Sequence, residues 1–335
     1  MNINTSSQSN SVTNKITSNL GLAPIEAFTL RGFFSKVFSK HNSDEIEEVF
    51  TVGSIHTTPK LDLTMAVFPT PWVFGRVLVT IIAAYGLFWL GINIFQNPKL
   101  IPGLIFAGSF AVPIAVLVLF FEMNTPRNVS ITRVGEFFFL GGIVSILVSL
   151  IFFSTTALMD IFGAPAAGFI EENGKLIAIL LGVGMLPKNR PQYKLNYLLY
   201  GAAVGAGFAA FESAGYALEL GLKGVDMLNI INLRALLAPF GHVVWSAIAA
   251  YAFYDARPSC KDVSATLRSR KFNKLFIVPV TLHFTWDMSF ELPLFLKYLG
   301  LGFIAWVVVV SLVQSGIKEI KTLVDPLAEP PVLKS

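Results

Sequence analysis

Residues 161–186 read IFGAPAAGFIEENGKLIAILLGVGML, an apolar block with Glu171, Glu172 and Lys175 set into its middle. At about 1.5 Å per residue in a helix, the block is long enough for a hydrocarbon core ~30 Å thick. Each Glu, Asp or Lys at such a depth costs roughly 2.5–3.5 kcal/mol on insertion scales. Apolar residues pack better, so packing does not explain the charges. They read as part of a polar site assembled between membrane-spanning helices. Three further apolar blocks repeat the pattern, carrying Glu212, then His242, then His283 with Asp287.

The rest of the chain agrees with a membrane solvent. It is 54% hydrophobic and only 14% charged, whereas a soluble domain carries about 25% charge. A net charge of +4 without a long basic run gives no sign of nucleic-acid binding, and one cysteine, Cys260, excludes an internal disulfide or a Cys-rich zinc site. No cleavable signal peptide is visible in the polar first twenty residues, so the first membrane helix is expected to serve as the insertion signal.

Eight apolar blocks follow one another, at about 71–95, 101–121, 136–158, 161–186, 195–219, 229–254, 273–294 and 297–315. Basic residues cluster in alternate connections: Arg127 and Arg133; Lys188, Arg190 and Lys194; and Arg257, Lys261, Arg268, Arg270, Lys271 and Lys274. The intervening connections hold only Lys99, Lys223 and Lys297. The positive-inside rule then places both termini in the cytoplasm. The expectation is an all-α, polytopic bundle of about eight transmembrane helices, N-in and C-in. It divides into a partly disordered cytoplasmic region (1–65), a membrane domain (66–318) and a cytoplasmic tail (319–335). Within the first region, residues 24–50 hold Phe28, Phe33, Phe34 and Phe38 among basic residues. Two arrangements are open there: a helix lying on the membrane surface, or a hairpin packed with the acidic stretch SDEIEEVF.

This topology gives the polar groups a common depth. Glu171 and Glu172 lie about ten residues, roughly 15 Å, below the outer surface. Glu212, His242, His283 and Asp287 fall between the midplane and the outer third, as residues sharing one cavity would. Glu171 and Lys175 are one turn apart and can pair, and Glu172 points about 100° away, so Lys175 can hold one carboxylate while the other addresses the cavity. Asn173 and Gly174 weaken the helix and mark a place for a local break. Glu212 reads as a metal ligand or as an acid orienting a water or histidine, with Phe208 packing one turn before it. Asp287, one turn after His283, can fix the imidazole tautomer or join it as a ligand. Arg234 reads as an anchor or a substrate-docking group near the outer end of its segment.

EENGK, FAAFE, GHVVW and HFTWD, in this order on four successive apolar segments, resemble the EExxK, FxxxE, His and HxxxD motifs of PrsW-type intramembrane proteases. These belong to the larger superfamily of CAAX-processing and bacteriocin-processing membrane enzymes. The resemblance covers about residues 160–290. It implies an endopeptidase of the bacterial-type cytoplasmic membrane that cleaves membrane-anchored proteins; the family's namesake cuts an anti-sigma factor on its extracytoplasmic side. Its implied catalytic set is Glu171, Glu172, Glu212, His242, His283 and Asp287, supported by Lys175 and Phe208. Two chemistries stay open. In one, Glu171 or Glu172 works with His242 on a water while His283 stabilises the oxyanion. In the other, one divalent metal, zinc by preference, is held by His242, His283 and a carboxylate from Glu212 or Asp287, with Glu172 slightly favoured as base. The rivals are a CAAX-type protease, against which Glu212 stands where that branch carries His, and a proton- or ion-coupled transporter.

Overall fold

The computed structural model describes residues 5–25, 28–188, 190–290 and 292–325, so residues 326–335 of the expected tail lie outside the described residues. All of the described secondary structure is helical. The first helix, α1 (Thr5–Leu20), occupies the Ser- and Asn-rich stretch that composition reads as lacking structure. Its order comes from packing on the last helix of the bundle: Thr17 is fully buried, and the Ser311 hydroxyl donates to the Ala23 carbonyl at 2.8 Å.

The short α2 (Leu30–Phe33) and α3 (Ser43–Phe50) resolve the two arrangements left open for residues 24–50 in favour of a packed cap. Phe28, Phe33 and Phe68 cluster with ring centroids 5.1–5.8 Å apart. Phe50 stacks on Phe121, and Arg190 donates to the Gly53 carbonyl at 2.8 Å. Asn42 caps α3 by accepting from the Glu45 amide, and Asp44 and Glu45 in its first turn complement the helix dipole. Phe38 and Leu30 are left outside this packing, exposed.

The helices α4 (Val73–Phe95) and α5 (Ile101–Met123) form the first hairpin. Trp72 gives α4 no side-chain cap; instead the Glu122 carboxylate at the end of α5 accepts from the amides of Trp72, Val73 and Phe74 at 2.7–2.9 Å. A carboxylate satisfies three orphan donors there and meets the positive end of the helix dipole. Next come α6 (Ile131–Leu140), a π-helical turn over Gly141–Ser145, and α7 (Ile146–Thr155). A short α8 (Leu158–Phe162) leads through Gly163, at φ 65°, toward α9 (Ala167–Gly184). The central helix is α10 (Lys194–Leu222), whose stretch 195–210 is buried throughout. Around it stand α11 (Met227–Leu237), α12 (His242–Ala256), the short α13 (Val263–Arg268), α14 (Arg270–Trp286) and α15 (Leu296–Val324).

Among the described residues, five helical stretches are long and apolar enough to cross a membrane: Val73–Phe95, Pro98–Met123, Ile131–Thr155, Met227–Ser259 and Leu296–Val324. They correspond to five of the eight apolar blocks. The other three are α9, α10 and α14, and each departs from a lipid-facing composition for a physical reason. Helix α9 carries three buried charges; α10 is rich in glycine and bears Glu212 and Glu219; α14 is 17 residues long and opens on Arg270 and Lys271. These three helices supply most of the polar centre.

Candidate functional site

Close backbone approaches set the site helices side by side. A Cβ on Gly205 of α10 would lie 2.2 Å from the His242 carbonyl oxygen, and one on Gly201 2.2 Å from that of Ser246. Only glycine permits this contact of α10 with α12, which seats His242 beside Phe208 and Glu212. A Cβ on Gly168 of α9 would lie 2.5 Å from the Phe284 amide nitrogen, so α14 reaches α9 just where His283 follows. Gly174 serves a third contact: its Cβ would meet Ser149 Oγ at 2.5 Å. The expected break at Asn173–Gly174 is therefore absent. Helix α9 runs continuously through both residues, and glycine there admits α7.

The polar groups converge. Glu171 and His283 are buried, Glu172 and Lys175 completely so. The Lys175 ammonium donates to Glu172 Oε1 at 2.6 Å and to His242 Nδ1 at 2.8 Å, and lies 4.5 Å from the centroid of the Phe208 ring. The sequence left open which carboxylate Lys175 holds: it is Glu172, three residues back, and Glu171 faces the cavity. On the other side of Glu172, His283 Nδ1 donates to the same Oε1 at 2.9 Å. That contact selects the tautomer whose Nε2 points inward. His283 Nε2 lies 3.2 Å from Asp287 Oδ2 and 3.8 Å from Glu171 Oε2. Trp245 stacks on the His283 ring at 4.6 Å and meets His242 edge-on at 5.2 Å.

Glu212 is occupied. Its Oε2 receives a hydrogen bond from Arg234 Nη2 and lies 3.2 Å from His242 Nε2. Arg234 Nε donates to Ser213 Oγ at 2.8 Å, and its guanidinium sits 4.6 Å from the Tyr216 ring. Arg234 is thus bound into the site instead of reaching for the membrane surface. A cavity of about 510 Å³ brings together Glu171, Glu212, Arg234, His242, His283 and Asp287, with Trp245, Trp286, Tyr216 and Tyr298 in its walls.

One ligand atom each from Glu171, His242 and His283 lie within 4.8 Å of one another. Two imidazoles and a carboxylate are a usual donor set for catalytic zinc. Glu171 Oε2 is buried with no hydrogen-bond partner among the described residues, as a ligand awaiting a cation would be. The residues fit a divalent metal, with one adjustment. Ligation through His242 Nε2 requires the proton on Nδ1, in which case Lys175 no longer donates to that nitrogen. The carboxylate of this trio is Glu171, where sequence reasoning placed Glu212 or Asp287. Glu212 lies 3.2 Å from His242 Nε2 and Asp287 3.2 Å from His283 Nε2, and both line the same cavity.

Trp245, Ser213 and Tyr216 were missed from the sequence. Each carries a signal in hindsight: Trp245 follows His242 by three residues and Tyr216 follows Glu212 by four, the spacings that share a helix face. The model of the PrsW family intramembrane metalloprotease matches residues 100–313. No curated protein and no solved structure matches the chain.

Proposed function

This chain belongs to the PrsW family of intramembrane metalloproteases, and we propose that its polar cavity hydrolyses a peptide bond of a single-pass, membrane-anchored protein. The observation that carries this reading is the meeting of Glu171, His242 and His283, from three separate helices, on one wall of a cavity. Those three residues would hold the divalent cation, which supplies Lewis acidity, lowering the pKa of a water toward about 7 and polarising the scissile carbonyl.

The remaining groups divide the work. Asp287 faces the cavity 3.2 Å from His283 Nε2. It is placed to take a proton from the attacking water and return it to the leaving amine. Glu172 does not line the cavity; it fixes His283 by its Nδ1–H and holds Lys175. Glu212 holds Arg234 and lies 3.2 Å from His242 Nε2. All eight apolar segments cross the membrane in this account, with both termini cytoplasmic, supported by the alternation of basic connections. The cavity then lies toward the outer leaflet, and the substrate is cut on that side.

The test compares the membrane proteomes of cells carrying wild-type protein and Glu171→Gln. A truncated membrane protein present in the first and missing in the second identifies the substrate. Identical fragment patterns in the two, with equal expression, would remove Glu171 from catalysis.

A further inference from the structure

We propose that Arg234 forms a substrate-binding subsite, donating hydrogen bonds to a main-chain carbonyl oxygen of the substrate beside the scissile bond. The inference rests on the proteolytic reading and adds a residue outside the four motifs. Arg234 is fixed more firmly than a docking side chain at a membrane edge. Nε is held by Ser213 Oγ, Nη2 by Glu212, and the guanidinium plane lies over Tyr216. Its helix is fixed as well. Asp226 caps the start of α11, Ile231 packs where a Cβ on Gly108 would meet it at 2.4 Å, and Asn232 accepts from the Tyr85 hydroxyl at 3.2 Å.

A guanidinium has five N–H donors. Two are engaged here, and Nη1 has no acceptor among the described residues. The side chain is 27% exposed and lines the cavity that holds Glu171, His242 and His283. An immobilised fork with spare donors at the edge of the cavity is a preformed hydrogen-bonding subsite. The local charge selects its ligand. Glu212 answers the Arg234 charge, and Glu171 and Asp287 also face the cavity, so an anionic side chain would meet carboxylates. A neutral carbonyl accepts the spare N–H groups without that repulsion. An extended substrate strand offers such an oxygen at every residue, and a helical one does not. The subsite therefore favours a substrate segment unwound around its cleavage point.

The experiment uses full-length wild type and Arg234→Lys in liposomes of phosphatidylethanolamine and phosphatidylglycerol, with a fluorescein-labelled single-pass reporter. Cleavage by wild type comes first, since its absence would defeat the proteolytic reading itself. Lysine keeps the charge beside Glu212 and loses the fork. The expected result is a KM, in reporter per lipid, raised about ten- to hundredfold, with kcat within about threefold and the metal content and melting temperature of wild type. Methylguanidinium should restore a low KM to Arg234→Ala. An unchanged KM in Arg234→Lys, or a loss confined to kcat, would overturn the subsite. Should Arg234→Lys fail to fold, the KM of Arg234→Ala with and without methylguanidinium decides in the same way.

Discussion

The Lys175 ammonium is fully buried, with Glu172, His242 Nδ1 and the Phe208 ring as its surroundings. Removing one member of a buried ion pair leaves the other charge uncompensated, which costs about 3–5 kcal/mol. Lys175→Met should therefore lower the melting temperature of the purified protein markedly, and Lys175→Met/Glu172→Gln should recover most of the loss without recovering activity. A Lys175→Met protein as stable as wild type would show that the clasp is not what holds α9 to its neighbours. The sequence announced that Glu171, Glu172 and Lys175 form a site, because charge in an apolar block has no cheaper explanation. It did not reveal which glutamate Lys175 would hold. Spacings of three and four both bring side chains together on a helix, and the choice is made by α14. Where Gly168 admits that helix, His283 arrives against Glu172 and completes its clasp. Glu171 is thereby left to the cavity, and the ligand set shifts to Glu171 from the Glu212 or Asp287 expected.

At the scale of the element, the glycines of α10 decide how near α12 can stand. Gly205→Ala places a Cβ against the His242 carbonyl, which is backbone and has no rotamer to yield. Overpacking of this kind costs about 1–3 kcal/mol, and here it also displaces His242. Both thermal stability and cleavage rate should fall. Gly215→Ala on the same helix meets nothing within 4 Å and should leave activity intact while gaining about 0.5–1 kcal/mol from helix propensity. Equal behaviour of the two variants in a melting experiment would contradict the close-packing account. Gly201 and Gly205, four residues apart in an apolar segment, form the pattern that admits a close helical neighbour. The role of Gly174 was not legible in the sequence, because glycine lowers helix propensity and admits a neighbouring helix alike. Only the presence of Ser149 and Ser145 opposite it decides between the two.

At the scale of the whole molecule, apolar length and basic connections made an all-helical membrane protein readable before any coordinates. The cap built by residues 5–72 was less so. Its order depends on distant partners such as Ser311, Arg190 and Phe121, which no local pattern announces. The proposed orientation places Cys260, between α12 and α13, in the cytoplasm. In intact cells it should resist membrane-impermeant thiol reagents and react once the membrane is opened; ready labelling from outside would invert the topology. The account as a whole turns on Glu171, His242 and His283 forming a metal-holding wall where amide bonds are cut. The most direct measurement is reporter cleavage by purified protein in liposomes, before metal removal, after it, and after zinc is returned. Cleavage should fall to background when the metal is stripped and return with about one equivalent of zinc. Undiminished cleavage by protein verified to be metal-free would contradict it.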